Sequence, residues 1–388
     1  MTTRKGIGVN RRGVMSAGLA GGTILLSGSV LAQGRSQPPA ALVGTMELFR
    51  AARAPTTPTG VVVSREGRVF VFMPRFDDTT IYTVGEVARD GGVTPYPSAA
   101  INRPDVAHAS EVLIHVPNGV VDAQNRLWML DAGLMASSGV PVPGGAKLVC
   151  VDLATDRVVR RIPLAPGVVP TSSLNDLRID AAARRCFITD QGQDGNGAVL
   201  AVDLETGRVV RRLAGHASTA SVEGVVKIVE GHQVMTRRAD GTTAPIKGGA
   251  NGIALSPDGH RLYYAPLIGR HLYVIDTGAL LDPRATDAQV AAQVEDYGEK
   301  GLTGGLLCDP QGRVLLALQE HNAIGRRNAD GTVEIVASDP RLIWADTLWI
   351  DGGWLYISAA QANRRPEFNG GVDRQRSPYA ILRTRLPT

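Results

Sequence analysis

The sequence predicts an all-β chain folded as a six-bladed β-propeller of four-stranded antiparallel blades, with the two termini sharing the closing blade. Three observations predict it: a short recurring motif, a second hairpin that follows the motif, and strand-like segments at both ends. The motif runs from a polar or small residue, often Asn-Gly, through an apolar strand and an Asp- or Gly-containing turn into a second apolar strand. Its copies begin at Thr59-Gly60, Asn118-Gly119, Asn175-Asp176, Asn251-Gly252, Thr303-Gly304 and Ala345-Asp346. One copy falls about every 57 residues, and self-similarity at such a period marks propellers and related repeat folds.

Each copy makes physical sense as a hairpin. The copy at Asn251 alternates loosely, reaches Pro257-Asp258-Gly259 and returns through Leu262, Tyr263 and Tyr264. An Asp-Gly pair supplies the positive φ that a tight turn requires. Asp351-Gly352 serves the last copy in the same way. The second hairpin is clearest where 147–162 nearly duplicates 198–213, each with Val-Asp-Leu, a polar turn and Val-Val. Two hairpins make one four-stranded sheet, and radial packing of six such sheets leaves only short edges. A β-sandwich, or two separate β domains, would not repeat so regularly. The only helical candidate of note, around 287–294, reads as a short insertion. Tyr379 to Leu386 reads as a final strand that the segment beginning Met46-Glu47-Leu48-Phe49 can join from the other terminus.

Composition narrows the function classes. The apolar share of 44% excludes a disordered chain. The formal charge of +4 lies in the first 32 residues, where Arg4, Lys5, Arg11 and Arg12 face no acidic residue. The remainder is near neutral, and with 5% aromatic residues it offers neither the charge nor the stacking surface for nucleic acid. The three cysteines, Cys150, Cys186 and Cys308, sit in or beside apolar runs, show no C-x-x-C spacing and read as buried thiols.

Residues 1–32 read as an export signal peptide, 33–45 as a tether and 46–388 as the single propeller domain. Basic residues precede a Gly- and Ala-rich, moderately apolar stretch that ends in Val30-Leu31-Ala32. The adjacent arginines resemble a twin-arginine signal, although Asn10-Arg11-Arg12-Gly13-Val14-Met15 lacks the usual Phe. Five glycines between 13 and 28 argue against an uncleaved membrane anchor. The expected location is the periplasm or the exterior, with no stable membrane insertion after cleavage, and the expected state is a monomer.

The repeat also places a site. The first strand of each blade starts where the second returns, so Thr59, Asn118, Asn175, Asn251, Thr303 and Asp346 should ring one mouth of the channel. Arg75, Asp131, Asp190, Glu320 and Gln361, at the second-strand ends, should share that rim. A concave mouth with converging polar groups is the default place for a small-molecule ligand. The candidate contacts are Asn118, Asn175, Asp176, Asn251, Glu320, Trp344 and Asp346, with Trp344 offering an apolar face and the carboxylates pairing with a cationic group. Their oxygens would also suit one divalent cation such as Ca²⁺. For any single Asn or Asp, the alternative is bonding to its own turn backbone. Standard catalytic motifs are absent from the sequence, and no catalytic residue is assigned. His115 and His321 are the two histidines expected near the mouth.

The repeats resemble the major royal jelly protein/yellow family, specifically its bacterial members. The resemblance is carried by Ser-Leu-Asn-Asp-Leu-Arg-Ile-Asp at 173–180, Phe-Ile-Thr-Asp-Gln-Gly at 187–192 and Arg-Leu-Ala-Gly-His-Ala-Ser at 212–218. It continues in Gly-Ile-Ala-Leu-Ser-Pro-Asp-Gly at 252–259, Leu-Tyr-Tyr-Ala-Pro-Leu at 262–267, Trp-Ala-Asp-Thr-Leu at 344–348 and the ending 361–379. It implies a secreted six-bladed propeller. In that family some insect members are linked to dopachrome conversion and some salivary members bind biogenic amines. A weaker resemblance is to the SMP-30/gluconolactonase propellers, whose divalent cation is held by a Glu, an Asn and an Asp at blade starts. Asn251-Gly252 matches the Asn, but Thr303-Gly304 and Thr59-Gly60 stand where the Asp and Glu are due. Threonine brings no anionic oxygen to such an ion. The expected function is therefore binding of a small polar or aromatic molecule at the channel mouth. The alternative is an enzyme, either a metal-assisted lactone hydrolase or a dopachrome-type isomerase, with Asp346, Glu320 or His321 as base or ligand.

Overall fold

A computed structural model describes residues 44–386 apart from 181, 183, 238 and 239. The expected export segment and most of the tether lie outside the described residues. The strands form six four-stranded antiparallel sheets in which sequence neighbours pair. Blade 1 holds Gly60–Val63, Val69–Phe72, Val84–Val87 and Val93–Pro95, and blade 2 holds Asn118–Val121, Arg126–Leu134, Pro141–Asp152 and Arg157–Pro163. Blade 3 holds Leu174–Asp180, Arg185–Asp190, Ala198–Asp203 and Val209–Arg212. Blade 4 holds Ala250–Leu255, Arg261–Pro266, His271–Asp276 and Glu295–Glu299, and blade 5 holds Thr303–Cys308, Val314–Leu318, Ala323–Arg327 and Val333–Ser338. Blade 6 combines Ala345–Asp351, Trp354–Ala359 and Tyr379–Arg385 with Glu47–Ala52 from the other end of the chain as its outermost strand. Glu47 pairs with Arg383 and Ala52 with Tyr379, so the termini close the ring as the sequence predicts.

The two inner strands of a blade are buried on both faces because each face packs on a neighbouring blade. Gly60–Val63 and Val69–Phe72 are buried throughout. Val62, Phe70 and Phe72 of blade 1 meet Leu127, Met129 and Val149 of blade 2, and Trp128, Leu130 and Leu148 of blade 2 meet Leu177, Ile188 and Leu200 of blade 3. The same kind of core lies between every adjacent pair around the ring. This continuity replaces the single two-layer core of a sandwich.

The glycine of the repeat has a steric cause. The first strands of the six blades touch one another around the axis. A Cβ on Gly252 would stand 2.5 Å from the Gly304 carbonyl oxygen of the next blade, and one on Gly60 would stand 2.6 Å from Asn118 Oδ1. The turn glycine Gly259 has φ +74°, as the Asp-Gly reading requires.

The predicted helical insertion is present as Asp287–Ala291, capped by a reciprocal Thr286 and Gln289 pair. It joins Thr277–Leu281 between the last two strands of blade 4, and Val290 and Leu280 enter the core shared by blades 3 and 4. A larger insertion between blades 3 and 4 carries two small hairpins, Ile228–Val229 with His232–Gln233 and Met235–Arg237 with Thr243–Pro245. The second hairpin packs on the 3₁₀ turn Pro366–Phe368, so insertion and C-terminal segment meet over the mouth.

Candidate functional site

The strand starts do gather at one face. There a cavity of about 460 Å³ is lined by Thr59, Asn175, Asn251, Trp344 and Asp346 of the predicted set. Arg75 and His115 line it as well, together with Phe76, Arg365 and Phe368. Loop residues come from the strand ends of blades 1, 2, 3, 4 and 6, which is how a radial fold concentrates side chains from distant parts of the chain.

Asn118 begins its strand, Asp176 stands two residues into its own, and the two bond to each other. Asn118 Nδ2 donates to Asp176 Oδ1 at 2.6 Å, and that oxygen also accepts from the Leu177 N–H at 2.7 Å and Arg178 Nη1 at 2.9 Å. Arg178 Nη2 then donates to the Leu306 carbonyl of blade 5 at 2.6 Å. This chain of bonds links blades 2, 3 and 5 across the axis, so Asn118 and Asp176 hold the channel together beside the cavity and do not line it.

Glu320 stands apart from the cavity. It borders a separate depression with His321 and Glu230, accepts weakly from the Ile228 N–H and ion-pairs with Arg270 at 3.4 Å. Asp131 and Asp190 also depart from the rim expected for them, for a clear physical reason. Asp131 is fully buried and accepts from the backbone N–H groups of Ile114, His115 and Gly133 at 2.8–2.9 Å and from Lys147 Nζ at 2.6 Å. Asp190 repeats the device with the Ser173 and Gly192 N–H groups and Arg211. Both carboxylates latch the segment that enters their blade, the turn-bonding role that competes with ligand binding for any such residue. Gln361 likewise anchors the C-terminal segment, accepting from the Arg376 N–H at 2.9 Å and donating to its carbonyl at 3.0 Å. Thr303 is buried with its Oγ1 unpartnered.

The cavity wall is electrostatically unusual. Asp346 is pushed up to about 7, first by burial and then by Asp176, with Lys227 opposing. Burial holds the Lys227 ammonium down to about 7 against the pull of Asp346 and Glu320. Lys227 donates to Gln319 Oε1 and lies 4.9 Å from the centre of the Trp344 ring. Burial also lowers His115 to about 4 against the pull of Asp131, and the Arg75 charge lowers it further, which leaves the ring neutral at pH 7. Arg75 is 1% exposed. Its Nε donates to the Ile114 carbonyl at 2.9 Å, while Nη1, Nη2 and His115 Nδ1 have no hydrogen-bond partner among the described residues. Arg365 ion-pairs with Glu367 and stacks 3.4 Å above the Phe76 ring.

Sequence reasoning missed the Lys227 insertion and the part played by Arg75. A trace of the first was present, because the step from 176 to 252 is longer than any other between repeats. The repeat placed Arg75 on the rim, but nothing in the sequence shows that its guanidinium is buried with two nitrogens unbonded. Among the described residues no three His, Cys, Asp or Glu side chains come together as a metal cluster, and Asn251, Glu320 and Asp346 do not share a site.

Comparison with known proteins fits this geometry. Solved structures with the same architecture include regucalcin, a calcium-binding protein of Agrobacterium tumefaciens, which is 15% identical with a TM-score of 0.53 over 88% of this chain and 93% of that one. A gluconolactonase of Xanthomonas campestris is 16% identical with a TM-score of 0.51 over 90% and 92%. At such identities the likeness is one of fold. Sequence relatives are major royal jelly protein 1 of Apis mellifera, 22% identical over 54% of this chain and 48% of the relative, and major royal jelly protein 7, 22% identical over 69% and 59%. The chain thus spans about half the length of the curated relatives it matches. The family description "Major royal jelly protein" matches residues 116–374, which is more than half of the 388 residues and includes blades 2, 3, 4 and 5 entire. With the ring closed as described, the chain belongs to the major royal jelly protein family.

Proposed function

We propose that the protein is an exported propeller that binds a small polar or aromatic molecule in the cavity at its channel mouth. The observation that carries this reading is the cavity itself, where Trp344, Phe76 and Phe368 supply flat apolar walls between the polar side chains of Asn175, Asn251 and Asp346. A volume of about 460 Å³ is in the range of small-molecule sites, which are largely apolar with a few orienting polar groups. Export is supported by the basic, acid-free segment 1–32, and no helix among the described residues is long and apolar enough to cross a membrane. Calorimetric titration with a panel of small aromatic amines, acids and quinones tests the reading. At least one compound should bind with one-to-one stoichiometry and be lost in Trp344→Leu. Equal binding to wild type and Trp344→Leu would move the site elsewhere.

Asp346 favours a second reading, a dopachrome-type isomerase. A carboxyl raised to about 7 can both accept and release a proton near neutral pH. Spectrophotometric turnover of an aminochrome, lost in Asp346→Asn with binding retained, supports it; absence of turnover in the wild type rejects it. The lactone-hydrolase reading requires a metal, and the residues it needs are not gathered. Elemental analysis before and after chelation decides it, since one tightly held divalent ion per chain would restore it.

A further inference from the structure

Among the described residues, most of the buried charges near the cavity are well bonded, and Arg75 contrasts with them. Asp131, Asp190, Asp176 and Arg178 are bonded as described above, and Lys147 Nζ also donates to the Ala109 and Gly145 carbonyls. Lys300 Nζ donates to the Gly269 and Gly301 carbonyls. Arg75, equally buried, bonds through Nε alone. The carboxylates that pull on its charge through space are Asp131, Asp78 and Asp77, and each is committed elsewhere. Asp131 holds three backbone N–H groups and Lys147, Asp78 accepts from the Ala136 and Ser137 N–H groups, and Asp77 accepts from the Thr79 N–H. A guanidinium buried with two idle nitrogens costs stability unless something else satisfies it. Beside it, His115 Nδ1 is idle too.

Resting on the reading of the cavity as a ligand site, we propose that its ligand carries a carboxylate on a flat apolar body, with the carboxylate received by Arg75 Nη1 and Nη2 and by His115 Nδ1. The planar fork of a guanidinium matches the two oxygens of a carboxylate, and such paired bonds are among the strongest hydrogen bonds proteins make. In the tautomer protonated at Nδ1, the neutral His115 ring adds one donor without needing a second negative charge. Phe76, against which Arg365 stacks, adjoins the His115 ring edge-on at 6.4 Å between centroids, so an aromatic wall begins where the anion site ends. Asp346 and Glu367 share the cavity, which favours a monoanion over a phosphate dianion. A lone cationic amine would meet Arg75 and the exposed Lys247 instead.

The test uses three probes of one shape: benzoate, benzamide and benzylamine, titrated into the purified protein at pH 7. Benzoate should bind about tenfold or more tightly than benzamide, as expected for charged hydrogen bonds left unmade by the amide, and benzylamine should bind most weakly. Arg75→Met should abolish the preference for benzoate over benzamide, and His115→Leu should reduce it. Because the preference is read in the wild type, it stands or falls even where a variant does not fold. Benzamide or benzylamine binding as tightly as benzoate would overturn the carboxylate inference while leaving an aromatic site. Benzoate binding unchanged by Arg75→Met in a folded variant would overturn it as well, and failure of all three probes would overturn both readings.

Discussion

Two parts of the same mouth handle buried charge in opposite ways. At the entries to blades 2 and 3, Asp131 and Asp190 are sealed among backbone N–H groups and cations. At the end of the second strand of blade 1, Arg75 is buried to the same degree and left with two idle nitrogens. A satisfied buried charge fixes the path of the chain. An unsatisfied one stores a demand that a ligand can meet. Position in the repeat does not separate the two roles; what separates them is how fully the neighbouring segment meets the side chain, since Ile114 and His115 give Asp131 two N–H groups while Ile114 gives Arg75 a single carbonyl.

The largest effect is expected at Asp131. Asp131→Ala strands the buried Lys147 ammonium and three N–H groups and is expected to cost about 3–5 kcal/mol in denaturant unfolding. Asp190→Ala should cost less, about 2 kcal/mol, because Arg211 is 15% exposed and can turn to water. Gly252→Ala tests the crowded axis rather than the latches. Its new Cβ meets backbone rather than a mobile side chain, and a loss of about 1–3 kcal/mol is expected.

Smaller effects sharpen the contrast. Asp346 has a folded value of about 7 against 3.8 for the free group. Between those values the folded protein keeps a proton that the unfolded chain has released, so this contribution to stability is full in acid and falls as pH rises to 7. Lys227, lowered from 10.5 to about 7, affects the pH dependence of stability above that window. Relative to Asp346→Asn, the wild type should therefore lose about 4 kcal/mol between the two ends of the window, and a parallel pair of stability curves would refute the assignment. Arg75→Met should change the stability of the free protein by no more than about 1 kcal/mol, since a hydrophobic group replaces an unpaired charge. A loss as large as that of Asp131→Ala would place Arg75 among the latches.

The fold was legible in the sequence because its cause is periodic. The Gly of each repeat, the Asp-Gly turns and the duplicated hairpins all answer to steric demands that recur in every blade. The candidate site was legible only as a location. Asn175, Asn251, Trp344 and Asp346 reach the cavity because strand starts must converge there. Asn118 starts a strand and Asp176 closely follows a strand start, but their side chains bond each other, and pairings between residues from different blades leave no trace in local sequence. Glu320 was drawn away by Arg270 and by the Lys227 insertion, whose path no repeat dictates.

Closure by Glu47–Ala52 against Tyr379–Arg385 has a consequence for the order of assembly. The paired residues are separated by nearly the whole domain, and contacts so distant in sequence form late because the intervening loop must first be confined. The first segment of the domain to leave the ribosome is thus among the last to find its place. Until then blade 6 presents an open edge to other chains, and an unpaired edge of this kind exposes a folding chain to misassembly.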